Sequence, residues 1–133
     1  MDSFRAVVIR ESLRGGQLPA DVPATGAREY PHLLDEATPI HIIEVPVEQA
    51  AALDVAMRLA EVLLPEKYYA HLVRDTDMLI AFPDTLVRLR VGDEPGERQV
   101  QAIGRTFAIP NEQMRFLEMF DVDHPDAPVR AAQ

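Results

Sequence analysis

Residues 67–91 read KYYAHLVRDTDMLIAFPDTLVRLRV, and this stretch decides the fold of the chain. It contains three apolar runs, KYYAHLVR, DMLIAFP and LVRLRV, and each gap between them is an Asp-Thr pair. Short β-type runs separated by two polar residues are typical of antiparallel strands joined by tight turns. The stretch therefore predicts a three-stranded meander, in which Ile80 pairs with His71 on one side and with Leu89 on the other.

Alternation of side chains sorts the meander into two faces, because residues two apart on a strand point to the same side. One face is predicted to form the core, and its members are Tyr69, His71, Val73, Met78, Ile80, Phe82, Val87, Leu89 and Val91. The other face, called the arginine face below, holds Tyr68, Ala70, Leu72, Leu79, Ala81, Arg88 and Arg90. Arginine and tyrosine are enriched at protein interfaces, and guanidinium groups also bind anions. The sequence therefore predicts a binding surface at Tyr68, Arg88 and Arg90.

The rest of the chain predicts an α+β fold. Residues 4–10 and 38–45 are β-branched and apolar, as strands are, and residues 47–64 are rich in alanine, which favours a helix. The order strand, helix, strand across residues 38–74 suggests a βαβ unit with two parallel strands. We therefore expect a mixed sheet of about five strands, with the long helix on one face and two shorter helices near the C-terminus.

The shorter helices and the irregular segments complete the predicted organisation. Asp93 or Glu94 can cap one helix and Pro95 suits its first turn, and a second helix is predicted over residues 111–120. Residues 11–37 are rich in Gly and Pro and predict a long irregular loop, and residues 121–133 predict a loose tail. Residues 1–133 are expected to form a single domain, because the length suits one domain and not two.

Composition excludes several classes of protein. The 133 residues carry a net charge of −9 and no cysteine, so disulfides and thiolate chemistry are excluded. A surface this acidic repels phosphate backbones, so no nucleic-acid partner is predicted. No apolar stretch approaches the ~20 residues that a membrane span needs, and the first residues do not resemble a secretory signal. We expect a soluble cytoplasmic protein without a membrane partner.

No motif in the chain points to a reaction, a metal or a cofactor. Gly15-Gly16 lacks the further residues of a phosphate-binding loop, and the histidines at 32, 41, 71 and 124 lack the spacing of a metal pair. His41 and His71 are expected to be core histidines on neighbouring strands, with a general base as the less favoured interpretation. No catalytic residue, metal site or cofactor is predicted.

Three functions are compatible with these observations. The first is a non-enzymatic accessory or binding protein that forms a homodimer through or beside the arginine face, or binds a partner protein there. The second is an enzyme or binding domain for a small anionic ligand, with a crevice near Arg88 and Arg90 that residues 11–37 close as a lid. The third is an inhibitor that mimics nucleic acid through its negative charge. The lack of catalytic residues favours the first.

Overall fold

The computed structural model describes residues 3–34 and 37–121, which form a six-stranded antiparallel sheet with helices on both faces. The strands lie in the order β2-β3-β1-β4-β5-β6. Their bounds are β1 Ser3–Ile9, β2 Arg28–Leu34, β3 Thr38–Glu48, β4 Ala70–Val73, β5 Asp77–Phe82 and β6 Thr85–Arg90. The two α-helices are α1 Gln49–Val62 and α2 Glu94–Arg105. The predicted α+β class, with a long helix and shorter C-terminal ones, is confirmed.

The strands on either side of α1 do not pair with each other. β1 lies between β3 and β4 and is antiparallel to both, with Ala6 opposite Val45 on one side and Leu72 on the other. The expected parallel pairing of a βαβ unit is therefore wrong, and the sheet is antiparallel throughout rather than mixed. β1 suits this central position because it carries buried apolar side chains on both faces, Ala6 on one and Val7 on the other.

Residues 28–34 form an edge strand inside the segment predicted to be an irregular loop. β2 pairs with β3 from Arg28 opposite Glu44 to Leu34 opposite Thr38. Pro31 in the middle of β2 hid this strand from the sequence pattern, and proline is tolerated in strands mainly at sheet edges. The irregular part of the predicted loop is accordingly shorter than 11–37.

Both faces of the sheet are buried. α1 packs on the face that includes Leu72, Leu79 and Ala81, which is the arginine face. α2 and the C-terminal 3₁₀ turns pack on the opposite face of the meander, where Ile80 and Phe82 are fully buried. The grouping of side chains by face is correct within the strands, but the face expected to be an outer surface is largely core. Val91, which was expected in the core, follows the end of β6 and is 52% exposed.

The C-terminal region contains one α-helix where two were predicted. Asp93 caps α2 by accepting a hydrogen bond from the backbone amide of Gly96 at 3.0 Å, as the sequence suggested. The helix predicted over 111–120 is instead two 3₁₀ helices, Asn111–Gln113 and Phe116–Phe120. Of the predicted tail, residues 122–133 lie outside the described residues.

Candidate functional site

The tight turn between β5 and β6 determines where the two arginines lie. Phe82 pairs with Thr85 across a two-residue turn in which Asp84 has a φ of 53°. Ile80 consequently pairs with Val87, whereas Leu89 was expected, so the predicted register of this hairpin is wrong by two residues. An even shift preserves the faces, so Arg88 still lies on the same face as the α1-facing side chains. The predicted pairing of Ile80 with His71 is confirmed.

Arg88 is engaged with a buried carboxylate. Its Nε and Nη2 donate hydrogen bonds to Oδ2 of Asp77 at 3.1 and 2.8 Å. The other oxygen of Asp77 accepts hydrogen bonds from Nε of Arg74 and from Oγ1 of Thr76. The side chain of Asp77 is only 4% exposed, whereas that of Arg88 is 60% exposed. Asp77 thus holds two guanidinium groups at the end of the sheet where β5 begins.

The hydrogen bonds keep Asp77 ionised. Burial by itself would raise the pKa of this carboxyl, but the donors Arg74, Thr76 and Arg88 stabilise the charged form more strongly. The pKa of Asp77 therefore lies below its ordinary value. Sequence alone did not identify this residue, since it was assigned only to the start of a strand.

The other two predicted binding residues lie at opposite ends of the arginine face. Arg90 is exposed and sits opposite Asp77. Tyr68 is half-buried against the α1 core, just before Ala70, which pairs with Ala81 at the other end of β5. The structure therefore does not bring Tyr68, Arg88 and Arg90 together into one site.

The outer edge of β6 presents backbone hydrogen-bonding groups. In the sheet formed by the described residues, β6 has a neighbour, β5, on one side only. The amide of Val91 donates to the carbonyl of Thr76 at 3.0 Å, and inward and outward groups alternate along an antiparallel strand. The amides and carbonyls of Leu86, Arg88 and Arg90 accordingly point away from β5. Of these groups, the carbonyl of Arg90 already accepts a hydrogen bond from the amide of Asp93 at 3.2 Å.

Exposed apolar side chains of α1 lie on the same side of the molecule as this edge. Leu53 and Met57, one helical turn apart, are 54% and 51% exposed. A hollow of about 220 Å³ separates α1 from the start of β6, with Met57 on one wall and Leu86 on the other. The apolar surface of α1 is thus only partly covered by the sheet.

The segment expected to act as a lid lies elsewhere. β2 and β6 are the two opposite edges of the sheet, separated by five strand spacings or about 24 Å. Residues before β2 contact α1 and its C-terminal end, as in the 2.8 Å hydrogen bond from the amide of Leu64 to the carbonyl of Ser12. The described part of 11–37 thus ends in the strand at the edge opposite β6, and its role as a lid over Arg88 and Arg90 stays a prediction.

The two sheet histidines have different environments. His71 is 2% exposed in β4, as expected of a core histidine. The same prediction is wrong for His41, whose side chain is 48% exposed and whose Nδ1 lies 2.8 Å from Oε2 of Glu11. Burial by itself would raise the pKa of Glu11, but the hydrogen bonds from the ring of His41 and from the backbone amides of His41 and Glu11 together lower it. β1 separates the two strands, so these histidines do not form a site together.

Two classes of feature are missing from residues 3–34 and 37–121. No group of three or more His, Asp or Glu side chains is placed to hold a metal ion. No helix in this part of the chain combines the length and apolar character needed to cross a bilayer. The chain matches no protein-family model, no curated protein and no solved structure. Function has to be inferred from the geometry of the molecule.

Proposed function

We propose that this protein is a non-enzymatic binding protein of the cytoplasm that forms a homodimer through the β6 edge, beside the arginine face. The observation that carries the proposal is an edge strand with outward-facing amides next to half-exposed apolar side chains on α1. Strands at sheet edges readily pair with strands of another chain. A second copy is the occupant that we favour, because Asp84, in the turn before β6, can face Arg90 of an antiparallel second copy.

The two edges of the sheet differ in how well they can accept another strand. β2 contains Pro31, which cannot donate a ladder hydrogen bond and is a common protection of sheet edges. β6 contains no proline between Thr85 and Arg90, so each of its residues retains an amide. Arginine side chains can also protect an edge, but Arg88 is partly occupied by Asp77. β6 is therefore the edge at which pairing is expected.

The charges on β6 select one register for two antiparallel copies. A two-fold axis at Val87 places Arg88 opposite Leu86 of the second copy and Arg90 opposite Asp84 of the second copy. A two-fold axis at Arg88 would place two arginines directly opposite each other, which is unfavourable. The Val87 register joins two six-stranded sheets and keeps α1 of both copies on one face. Leu53 and Met57 of the two copies can then cover each other, which supplies apolar burial.

Two substitutions of Arg88, one to proline and one to alanine, test self-association. Arg88→Pro and Arg88→Ala both lose the ion pair with Asp77, but only Arg88→Pro loses the outward amide. We expect wild type and Arg88→Ala to show twice the mass of one chain by light scattering at tens of micromolar. We expect Arg88→Pro to show the mass of a single chain.

A second pair of variants tests the contribution of α1. Met57→Glu places a charge on the proposed interface, whereas Leu33→Glu changes a side chain of similar exposure, 50%, on the opposite edge. We expect Met57→Glu to weaken the dimer and Leu33→Glu to leave it unchanged. A monomeric wild type at these concentrations would refute homodimerisation, and equal weakening by both glutamates would refute the choice of the β6 edge.

A further inference from the structure

We propose that a cavity beside Arg74, on the other side of Asp77 from Arg88, binds a small anion with carboxylate or phosphate oxygens through Arg74. The cavity has a volume of about 490 Å³ and lies between the start of β1, the end of β3 and the turn that links β4 to β5. This volume falls in the range of about 300–1,000 Å³ that small-molecule sites occupy. The site is distinct from the β6 edge, so it can exist whether or not the protein dimerises.

Arg74 is positioned as a rigid wall of this cavity. Its Nε donates to Asp77, and its Cζ lies 5.0 Å from the ring centroid of Phe4, which fixes the plane of the guanidinium. The side chain is 23% exposed. No described residue accepts a hydrogen bond from Nη1 or Nη2 of Arg74. The two terminal nitrogens therefore form a pre-oriented fork of the kind that binds carboxylate or phosphate oxygens.

Two carboxylates at or beside the cavity, Glu44 and Asp77, are already engaged by arginines. Asp77 is shared by Arg74 and Arg88. Glu44, which lines the cavity, lies 3.4 Å from both Arg5 and Arg28. A cation would have to compete with these guanidinium groups, whereas an anion gains from them. The lining holds two arginines and two acidic residues, and Glu44 is already paired with arginines, so the terminal nitrogens of Arg74 are what favours an anionic ligand.

One acidic residue opposes the anion and offers a clean test. Asp75 is exposed at the rim of the cavity, and no hydrogen bond or ion pair to another described side chain involves it. Removing its charge should strengthen anion binding without affecting the fold. Arg74→Gln should weaken binding, and Arg98→Gln is its matched control, because Arg98 is an exposed arginine on α2, across the sheet.

The experiment is calorimetric titration with pyrophosphate and, separately, with malonate, at low ionic strength in a phosphate-free buffer. We expect saturable binding of at least one probe, and the preferred probe distinguishes phosphate from carboxylate recognition. Arg74→Gln is expected to weaken binding about 10- to 100-fold, since it removes a charge-assisted pair of hydrogen bonds. Asp75→Asn is expected to strengthen binding, and Arg98→Gln to leave it unchanged.

Three results would overturn the proposal. The first is no saturable binding of either probe by the wild-type protein. The second is equal weakening by Arg74→Gln and Arg98→Gln, which would indicate general electrostatic attraction. The third applies if Arg74→Gln fails to fold, as judged by circular dichroism: an unchanged affinity in the folded Asp75→Asn variant would then refute the site.

Discussion

The substitution Asp77→Asn tests the ion network at the end of the meander. Asparagine has nearly the same shape as aspartate, but it replaces a charged acceptor by an amide whose nitrogen faces a guanidinium donor. Asp77 accepts hydrogen bonds from Arg74, Thr76 and Arg88, and its side chain is 4% exposed. The variant therefore removes the shared partner of two arginines while leaving the backbone of β5 unchanged.

The expected magnitude follows from the exposure of each partner. A hydrogen bond to a charged group contributes about 1.5–3 kcal/mol when it is buried. Arg88 is 60% exposed, so water replaces much of what it loses, and its pair contributes about 0.5–1 kcal/mol. Arg74 is 23% exposed and loses more. We expect Asp77→Asn to lower the free energy of unfolding by about 2–3 kcal/mol, and Arg88→Ala to lower it by about 0.5–1 kcal/mol.

The assay is urea denaturation across a range of pH. Because the pKa of Asp77 is lower in the folded chain than its unfolded value of about 3.9, the stabilisation is fully present above about pH 4. It is lost as the pH falls through the folded pKa. The difference in stability between wild type and Asp77→Asn should therefore be largest near neutral pH and shrink below about pH 4.

Asp54→Asn is the matched control, since Asp54 is an exposed aspartate on α1. Surface substitutions of this kind change stability by about 0.5 kcal/mol or less. Equal effects of the two substitutions would refute the buried network. A difference from wild type that stays constant between acidic and neutral pH would refute the assignment of its acid dependence to this carboxyl.

Two further predictions concern α2. Asp93→Ala removes the cap on the amide of Gly96 and should destabilise the protein by about 1 kcal/mol in urea denaturation; an unchanged midpoint would show that another group satisfies that amide. Gly104→Ala gains about 1 kcal/mol of helix propensity, but its Cβ would overlap Sδ of Met114, and overpacking costs about 1–3 kcal/mol. We expect a net loss, measured as a lower melting temperature, and a higher melting temperature would show that Met114 moves aside at little cost.

Local patterns in the sequence were sufficient for the elements of the meander and for α2. Period-two alternation assigned Leu79 and Arg88 to one face for any turn with an even number of residues, because an even shift in register preserves parity. The cap at Asp93 was recognisable because it depends on residues within one helical turn. Periodicity failed at residues 111–120, where a 3₁₀ repeat buries Phe116 and Met119.

The sequence by itself determined which residues form the strands of the meander, which form α2, which side chains share a face, and how acidic the chain is. Tertiary structure decided that β1 lies between β3 and β4, that α1 covers the arginine face, and that Asp77 collects Arg74 and Arg88. The physical reason is the separation along the sequence over which each interaction acts. Alternation and capping act over a few residues, whereas strand order and shared ion partners depend on which distant apolar surfaces must be buried together.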